Sequence, residues 1–367
     1  MNSLELLRKT VELQASDLHL RVSAPPIVRI ADTLQKLEFP PLTEEDIATF
    51  ISEVLDERQR KLLQERNEYD FAISVEGLGR YRVNCYQRMG TKALALRYVS
   101  HVIPKFEDLH LPPILLDLAM HKRGMIIVTG TAGSGKTTTI AAMIEHINTN
   151  APVNIVAIED PIEFVFTDKK AIIAQREVGL DTESFHTGLK YILRQDPDVI
   201  VIGEIRDQET MSVALMAAET GHLVVCTLHT LNAAQTIDRS LSFFPPHENQ
   251  QVRNLLADTL ESIISMRLLP RADAVGLIPA VEVMVCTGLM REYIRDSAKT
   301  HLIPSLIEEG SIAYGMQSFD QNIMTLYRDE LIEYEVAKNN CSNPADFDLR
   351  VRGIQSVEYQ TRQPFQE

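Results

Sequence analysis

Cysteine is scarce in this chain and nowhere paired: Cys85, Cys226, Cys286 and Cys341 are scattered through 367 residues without a C-x-x-C spacing. That pattern disfavours both a zinc site and a disulfide framework, and it leaves buried, inert thiols as the expectation. Long apolar runs are missing too. None approaches the roughly 20 residues that a membrane span needs, so direct membrane insertion is not expected. The opening MNSLELLRKTVELQ spaces its apolar residues helically, with charges between them, and lacks the continuous core of a secretion signal. A cytoplasmic protein is expected. No clear basic run occurs, and 36 Lys and Arg against 51 Asp and Glu give a formal charge of −15. Polyanion binding relies on cations displacing counterions, so this balance disfavours a nucleic-acid motor and leans toward a protein partner.

What is present is ordinary for a soluble globular protein, with 45% hydrophobic and 24% charged residues and length enough for two domains. Residues 1–100 read as a mixed α+β domain. Leu4 to Leu13 is an amphipathic helix, and Asp17 to Val22 alternates like a strand. Pro25-Pro26 then breaks the chain before Ile27 to Ile30. Thr43 is a candidate cap for a helix over Glu44 to Glu65, with a break near Asp56 as the alternative. Strand-like segments follow at Tyr69–Ser74, Gly79–Cys85 and Ala93–Val99. Residues 101–113, with Pro104, Pro112 and Pro113, read as a linker. From 114 to 367 the rhythm changes. Apolar strands at Met125–Thr129, Asn154–Ile158, Val199–Ile202 and Leu223–Leu228 alternate with helical stretches, which predicts a largely parallel α/β sheet. Beyond Asn249 the reading is mostly helical, with one more apolar run at Leu277–Val285. Gly315 to Asn340 is expected to form the last helices, and the polar tail after Gly353 to be disordered.

Four stretches carry chemistry. GTAGSGKTTT, Gly130 to Thr139, matches G-x-x-x-x-G-K-[ST] between a strand and a helix. Small residues there let backbone N–H groups point at phosphates, with a helix N-terminus behind them. Lys136 would reach the β/γ-phosphates and Thr137 would ligate Mg²⁺. AIEDPIEF, Ala157 to Phe164, places Glu159, Asp160 and Glu163 at the carboxyl end of a parallel strand, where such folds bind ligands. Alone it would read as a solvated acidic turn; the phosphate loop favours a water-polarising acid. RQDPDVIVIGEIRD, Arg194 to Asp207, resembles a Walker B strand with Gly203 where an acid often stands, leaving Glu204 to hold Mg²⁺ directly or through water. Arg206 and Asp207 read equally well as a surface pair. ETGHLVVCTLHT sets His222 before and His229 after a buried strand, at a spacing that is not metal-binding. An isolated His is usually structural; at the end of a strand adjacent to the nucleotide strands, His229 reads alternatively as a sensor of the γ-phosphate.

In this order the four stretches resemble the secretion-ATPase superfamily that drives type II secretion and type IV pili, and the resemblance covers nearly the whole chain. Ala15 to Leu20 (ASDLHL) and Gln175 to Gly179 (QREVG) are also similar to that family. It implies a RecA-like P-loop ATPase domain with an N-terminal PAS-like α+β domain, assembled as a homohexamer. ATP would lie on Gly130, Thr131, Ala132, Gly133, Ser134, Gly135, Lys136, Thr137 and Thr138, with Mg²⁺ on Thr137 and Glu204. The resemblance further implies Glu163 as the carboxylate that activates water, Glu204 as the Walker B acid and His229 as the histidine-box residue. Arg82 and Arg97, in GRYRVNC and ALALRYV, are similar in spacing to two arginines that complete the family's active site from a neighbouring subunit. Strand arginines on small sheets also commonly just cover an exposed face.

Within the superfamily the chain resembles the retraction branch, PilT and PilU. It is short and lacks a four-cysteine zinc module, and GMQSFDQNIMTLYRDELI, Gly315 to Ile332, is similar to that branch's C-terminal helices. PilT-type motors carry an A-I-R-N-L-I-R-E helix; here the aligned stretch is Leu302 to Glu309, with Pro304 and Glu308 in place of both arginines. A proline inside that helix and a reversed charge favour a PilU-like accessory motor or a specialised paralogue, and the closing DFDLRVR, Asp346 to Arg352, leans the same way. The implied partners are an inner-membrane pilus platform protein, which would bring the ring to the membrane, and a companion retraction ATPase. Pilus assembly or type II secretion is the alternative function, and a catalytically weak binding subunit the reading from another class.

Overall fold

The computed structural model describes residues 3–30, 33–55, 57–65, 67–75, 77–99 and 102–352. The tail expected to be disordered lies outside them. The chain forms two compact units, Met1–Val102 with Glu163–Phe166, and Ile103–Ile162 with Thr167–Glu367.

In the first unit the elements run α1 (Ser3–Glu12), β1 (Asp17–Arg21), β2 (Ile27–Ile30), β3 (Thr33–Lys36), α2 (Glu44–Val54), α3 (Glu57–Glu65), β4 (Glu68–Val75), β5 (Gly79–Arg88) and β6 (Thr91–Val99). Thr43 caps α2 through a capping box: its hydroxyl accepts the Asp46 N–H at 3.1 Å, and the Asp46 carboxylate accepts the Thr43 N–H at 2.9 Å. The break between α2 and α3 settles the alternative left open by the sequence. The strands make one antiparallel sheet in the order β3-β2-β1-β6-β5-β4. Alternation buries Leu18, Leu20, Tyr81, Val83, Leu94 and Leu96 with Leu6, Leu7 and Phe50 of the helices. The Tyr81 hydroxyl donates to the Leu7 carbonyl at 3.0 Å, tying α1 to that face. Strand β3 was not read from the sequence. Its four residues, TLQK, are all exposed and carry no alternating pattern.

The second unit opens with a 3₁₀ turn, Phe106–Leu109, within the segment expected as a linker. Then come α4 (Ile114–Ala119), β7 (Gly124–Thr129), α5 (Lys136–Asn150), β8 (Asn154–Glu159), β9 (Ile172–Glu177), α6 (Phe185–Ile192), β10 (Val199–Ile202), α7 (Gln208–Glu219), β11 (Leu223–Leu228), α8 (Ala233–Ser242), α9 (Asn249–Thr259), β12 (Leu260–Pro270) and β13 (Leu277–Val285). Their sheet order is β13-β12-β7-β11-β10-β8-β9, parallel throughout except for β13. Every residue of β7, β10 and β11 is buried, the consequence of helices on both faces. The mostly helical reading beyond Asn249 holds except for one strand that it missed. Leu260, Ile263 and Ile264 fall at helical spacing, but they lie in β12, an interior strand that has no exposed face to give alternation.

Short helices close the unit: α10 (Gly288–Arg295), α11 (Ile303–Glu309), α12 (Ser311–Tyr314), α13 (Phe319–Arg328), α14 (Tyr334–Asn340) and α15 (Pro344–Val351). The last extends the helical region past Asn340, where the sequence reading stopped it. Pro304 was expected to disturb a helix interior. It occupies the first turn of α11 instead, after a 3₁₀ turn at Ser297–Leu302, where its missing N–H costs no intrahelical bond. The Glu308 carboxylate accepts the hydroxyl of Ser318, the cap of α13, at 3.3 Å. Among the described residues no helix is long and apolar enough to cross a membrane.

The interior placement of β12 has a measurable consequence. Ile263 is fully buried in the main core, so Ile263→Ala should destabilise the second unit by about 2–5 kcal/mol in urea unfolding. A loss below about 0.5 kcal/mol, the range of an exposed position, would contradict that placement.

Candidate nucleotide site

The phosphate-loop motif bridges β7 and α5 at the carboxyl edge of the parallel strands. Gly130 has φ +146°, and a Cβ there would come within 2.5 Å of the Met266 carbonyl oxygen while clashing with the Ser134 hydroxyl. Only glycine lets the loop pass so close to β12. Gly135, at φ +94°, caps α5 in the left-handed region. Lys136 is only 8% exposed, and its ammonium donates to the Gly130 and Thr131 carbonyls at 2.8 Å each. The loop is thus closed around its own cation. Thr131, Ala132 and Gly133 are exposed, while Thr137 and Thr138 are half-buried in the first turn of α5. Ser134 Oγ is buried without a partner. An orphan hydroxyl beside a helix N-terminus is the environment an anionic phosphate satisfies.

Two strands away, Glu204 follows β10. Its Oε2 is 2.7 Å from Arg206 Nη2 and its Oε1 is 3.1 Å from His229 Nε2. Burial pushes the Glu204 carboxyl up, but the Arg206 hydrogen bond and the His229 and Arg206 charges outweigh it and hold it below the usual carboxylate range. Arg206 also lies 3.8 Å from Asp160. Asp207 instead caps α7, accepting the Thr210 N–H at 2.7 Å, so the adjacent Arg206–Asp207 surface pair is not formed. Gly203 has a steric reason: a Cβ would meet Glu159 Cα at 3.2 Å. The Thr227 hydroxyl donates to the Gly203 carbonyl at 2.5 Å, tying this turn to β11. His222 plays a separate part, with Nδ1 2.9 Å from the Ala217 carbonyl at the other end of β11.

The structure thus brings Glu204, His229, Arg206 and Asp160 into one network. Glu163, Arg82 and Arg97 belong to the first unit, and Glu163 is exposed. Arg82 and Arg97 are exposed cross-strand partners on β5 and β6. Arg97 Nε donates to Asp17 Oδ1 at 2.9 Å, a partner in the ASDLHL stretch that sequence reasoning did not connect with it.

Sequence reasoning also missed a pocket of about 180 Å³ beside the loop, lined by Gly135, Thr138, His110, Leu111, Leu268 and Arg271. The Arg271 guanidinium grips Asp273 with two hydrogen bonds and lies 3.3 Å from His110 Nε2. Its walls come from the presumed linker and from the unrecognised β12–β13 hairpin. Recognising that hairpin was the signal that would have found it.

A phosphate loop after one strand of a parallel sheet, with an ion-paired acid after another, defines a RecA-like P-loop ATPase. Residues 88–300 match the family described as Type II/IV secretion system protein. The type IV pilus ATPase PilU of Pseudomonas aeruginosa is 40% identical over 348 residues, 95% of this chain and 91% of that protein. The retraction ATPase PilT of the same organism is 38% identical over 347 residues, 95% of this chain and all of that protein. A crystal structure of the pilus retraction motor PilT with bound ADP superposes with a TM-score of 0.88 at 44% identity, covering 94% of this chain and 98% of that one. The chain belongs to the type IV pilus retraction ATPase family, and it is an ATPase.

The crowding at Gly130 is testable without assuming any role for the loop. Gly130→Ala should cost on the order of 1–3 kcal/mol in stability, since strain and clash coincide there. Unchanged urea unfolding would contradict the close approach to Met266.

Proposed function

We propose that this chain is the motor subunit of a homohexameric ring that retracts a type IV pilus by depolymerising it, working as an accessory motor of PilU type. The observation that carries this reading is end-to-end similarity to PilT and PilU together with an intact Lys136 loop and the Glu204–His229 pair. In this reading ATP phosphates lie against the residue 130–138 loop, and the base enters the pocket between His110 and Leu268. The hydroxyl of Thr137 and the carboxylate of Glu204 are hard oxygen donors suited to Mg²⁺. That ion would neutralise charge on the phosphates. Glu163 acts as the base that orients the attacking water, and Arg82 and Arg97 reach the site from a neighbouring subunit. The ring meets the membrane through an inner-membrane platform protein, and a companion retraction ATPase is its natural co-worker. Pro304 and Glu308, where PilT-type motors carry arginines, support the accessory assignment through the lost positive charges, the helix itself being intact.

Deleting the gene tests the direction of work. Cells that keep or gain surface pili but lose retraction fit this reading; bald cells would point to assembly instead. Within the acidic turn, Glu163→Gln should retain nucleotide binding and slow hydrolysis by about 10²-fold or more. A slow Glu159→Gln beside a normal Glu163→Gln would move the base to Glu159, whose Oε1 accepts the Gln175 amide at 3.0 Å. For the arginines, two inactive variants are mixed: Lys136→Ala, and Arg82→Ala combined with Arg97→Ala. Some interfaces in a mixed ring pair an intact loop with intact arginines, so phosphate release should partly return. An arginine supplied across an interface is worth as much as about 10³-fold in rate, well above background. No recovery under subunit exchange would place the arginines' action within their own chain or nowhere.

A further inference from the structure

Glu282 in β13 is a carboxylate that none of the roles above uses, and it is 6% exposed. Its Oε1 accepts the backbone N–H of Ala233 at 2.8 Å and the hydroxyl of Ser265 at 3.2 Å. Burial pushes its carboxyl above the usual range, against the pull of those two donors. A buried acid is costly unless its placement is supported by such bonds. Its two donors lie beside different parts of the nucleotide site.

Ala233 is the first residue of α8, and α8 begins four residues after His229. A carboxylate at this helix N-terminus satisfies one of the N–H groups that lack intrahelical partners. Asn232 caps the same end through Gln235, so the turn after His229 is held by two separate acceptors. Ser265 pairs in register with Glu282 on one side and with Thr129, the last residue of β7, on the other. The next residue, Met266, supplies the carbonyl that crowds Gly130, and its sulfur accepts the Thr139 hydroxyl at 3.1 Å. Glu282 therefore spans from the strand that backs the phosphate loop to the helix that follows His229.

We infer that Glu282 is a positioning residue that holds the His229 turn in register with the phosphate loop, so that His229 stays on Glu204. The inference rests on the proposed reading of the Glu204–His229 pair as part of the hydrolysis site. Its acceptor oxygen does the work, so glutamine should substitute for it.

The test uses the full chain with ATP as substrate and a fluorescent ADP as binding probe. Glu282→Ala should lower kcat by about 10-fold or more, as small misplacements of reacting groups do. ADP affinity should stay within about 3-fold, since a group outside the binding contacts leaves uniform binding intact. Glu282→Gln should remain within about 2-fold of wild type, because the acceptor is kept. Adding Glu282→Ala to His229→Ala should cost nothing further, as expected for two changes acting through one contact. Hydrogen exchange at the Ala233 amide reads the geometry without reference to activity, rising in Glu282→Ala and unchanged in Glu282→Gln. Should Glu282→Ala fail to fold, Ser265→Ala removes one of the two donors and should show a smaller kcat loss with the same lack of additivity.

A folded Glu282→Ala, or Ser265→Ala in its place, with normal kcat overturns the inference. So does a Gln variant as impaired as Ala, or a double variant whose losses multiply. If His229→Ala keeps full kcat while Glu282→Ala loses it and the amide still loosens, the role of His229 fails and the inference falls with it. The ATPase assignment is untouched in that case.

Discussion

The phosphate loop lies against β12, and much of the second unit follows from that contact. Gly130 can adopt φ +146° within reach of the Met266 carbonyl only because it has no side chain. The contact requires β12 to run parallel to β7 as an interior strand, which in turn requires β13 to cover it. The pocket beside Gly135 is a product of the same geometry, since Leu268 and Arg271 come from the hairpin that follows. A loop built from small residues is thereby given one defined shape by a strand more than 130 residues further on.

Electrostatics organises the other side of the site. Both Glu204 oxygens are engaged, one by Arg206 and one by His229, so the acid stays charged although it is largely sheltered. An ionised, oriented carboxylate at the end of a parallel strand is what a hard cation or a polarised water needs. Because Thr227 ties the Gly203 turn to β11, the strand that leads to His229 and the strand that leads to Glu204 are linked at their carboxyl ends.

Much of this was legible in the sequence, for physical reasons that differ between elements. The strands β7, β10 and β11 are continuous apolar runs because both faces are covered, and the motif between β7 and α5 identifies itself by spacing. Strand β12 was hidden because an interior strand does not alternate and its Leu260, Ile263 and Ile264 imitate a helix face. The pocket was hidden with it. Pairings between distant positions carry no local signal at all: Asp17 with Arg97 and Glu282 with Ala233. Between close neighbours the partner depends on the local backbone, so Arg206 takes Glu204 while Asp207 caps α7. Pro304 was misjudged because sequence alone does not say where a helix starts.

Phosphate release by the purified chain, measured beside its Lys136→Ala variant, bears most directly on the central claim. The account predicts ATP-dependent release by the wild type, and none by a variant that keeps its secondary structure. Equal release by both proteins would contradict the assignment of the residue 130–138 loop as the site of hydrolysis.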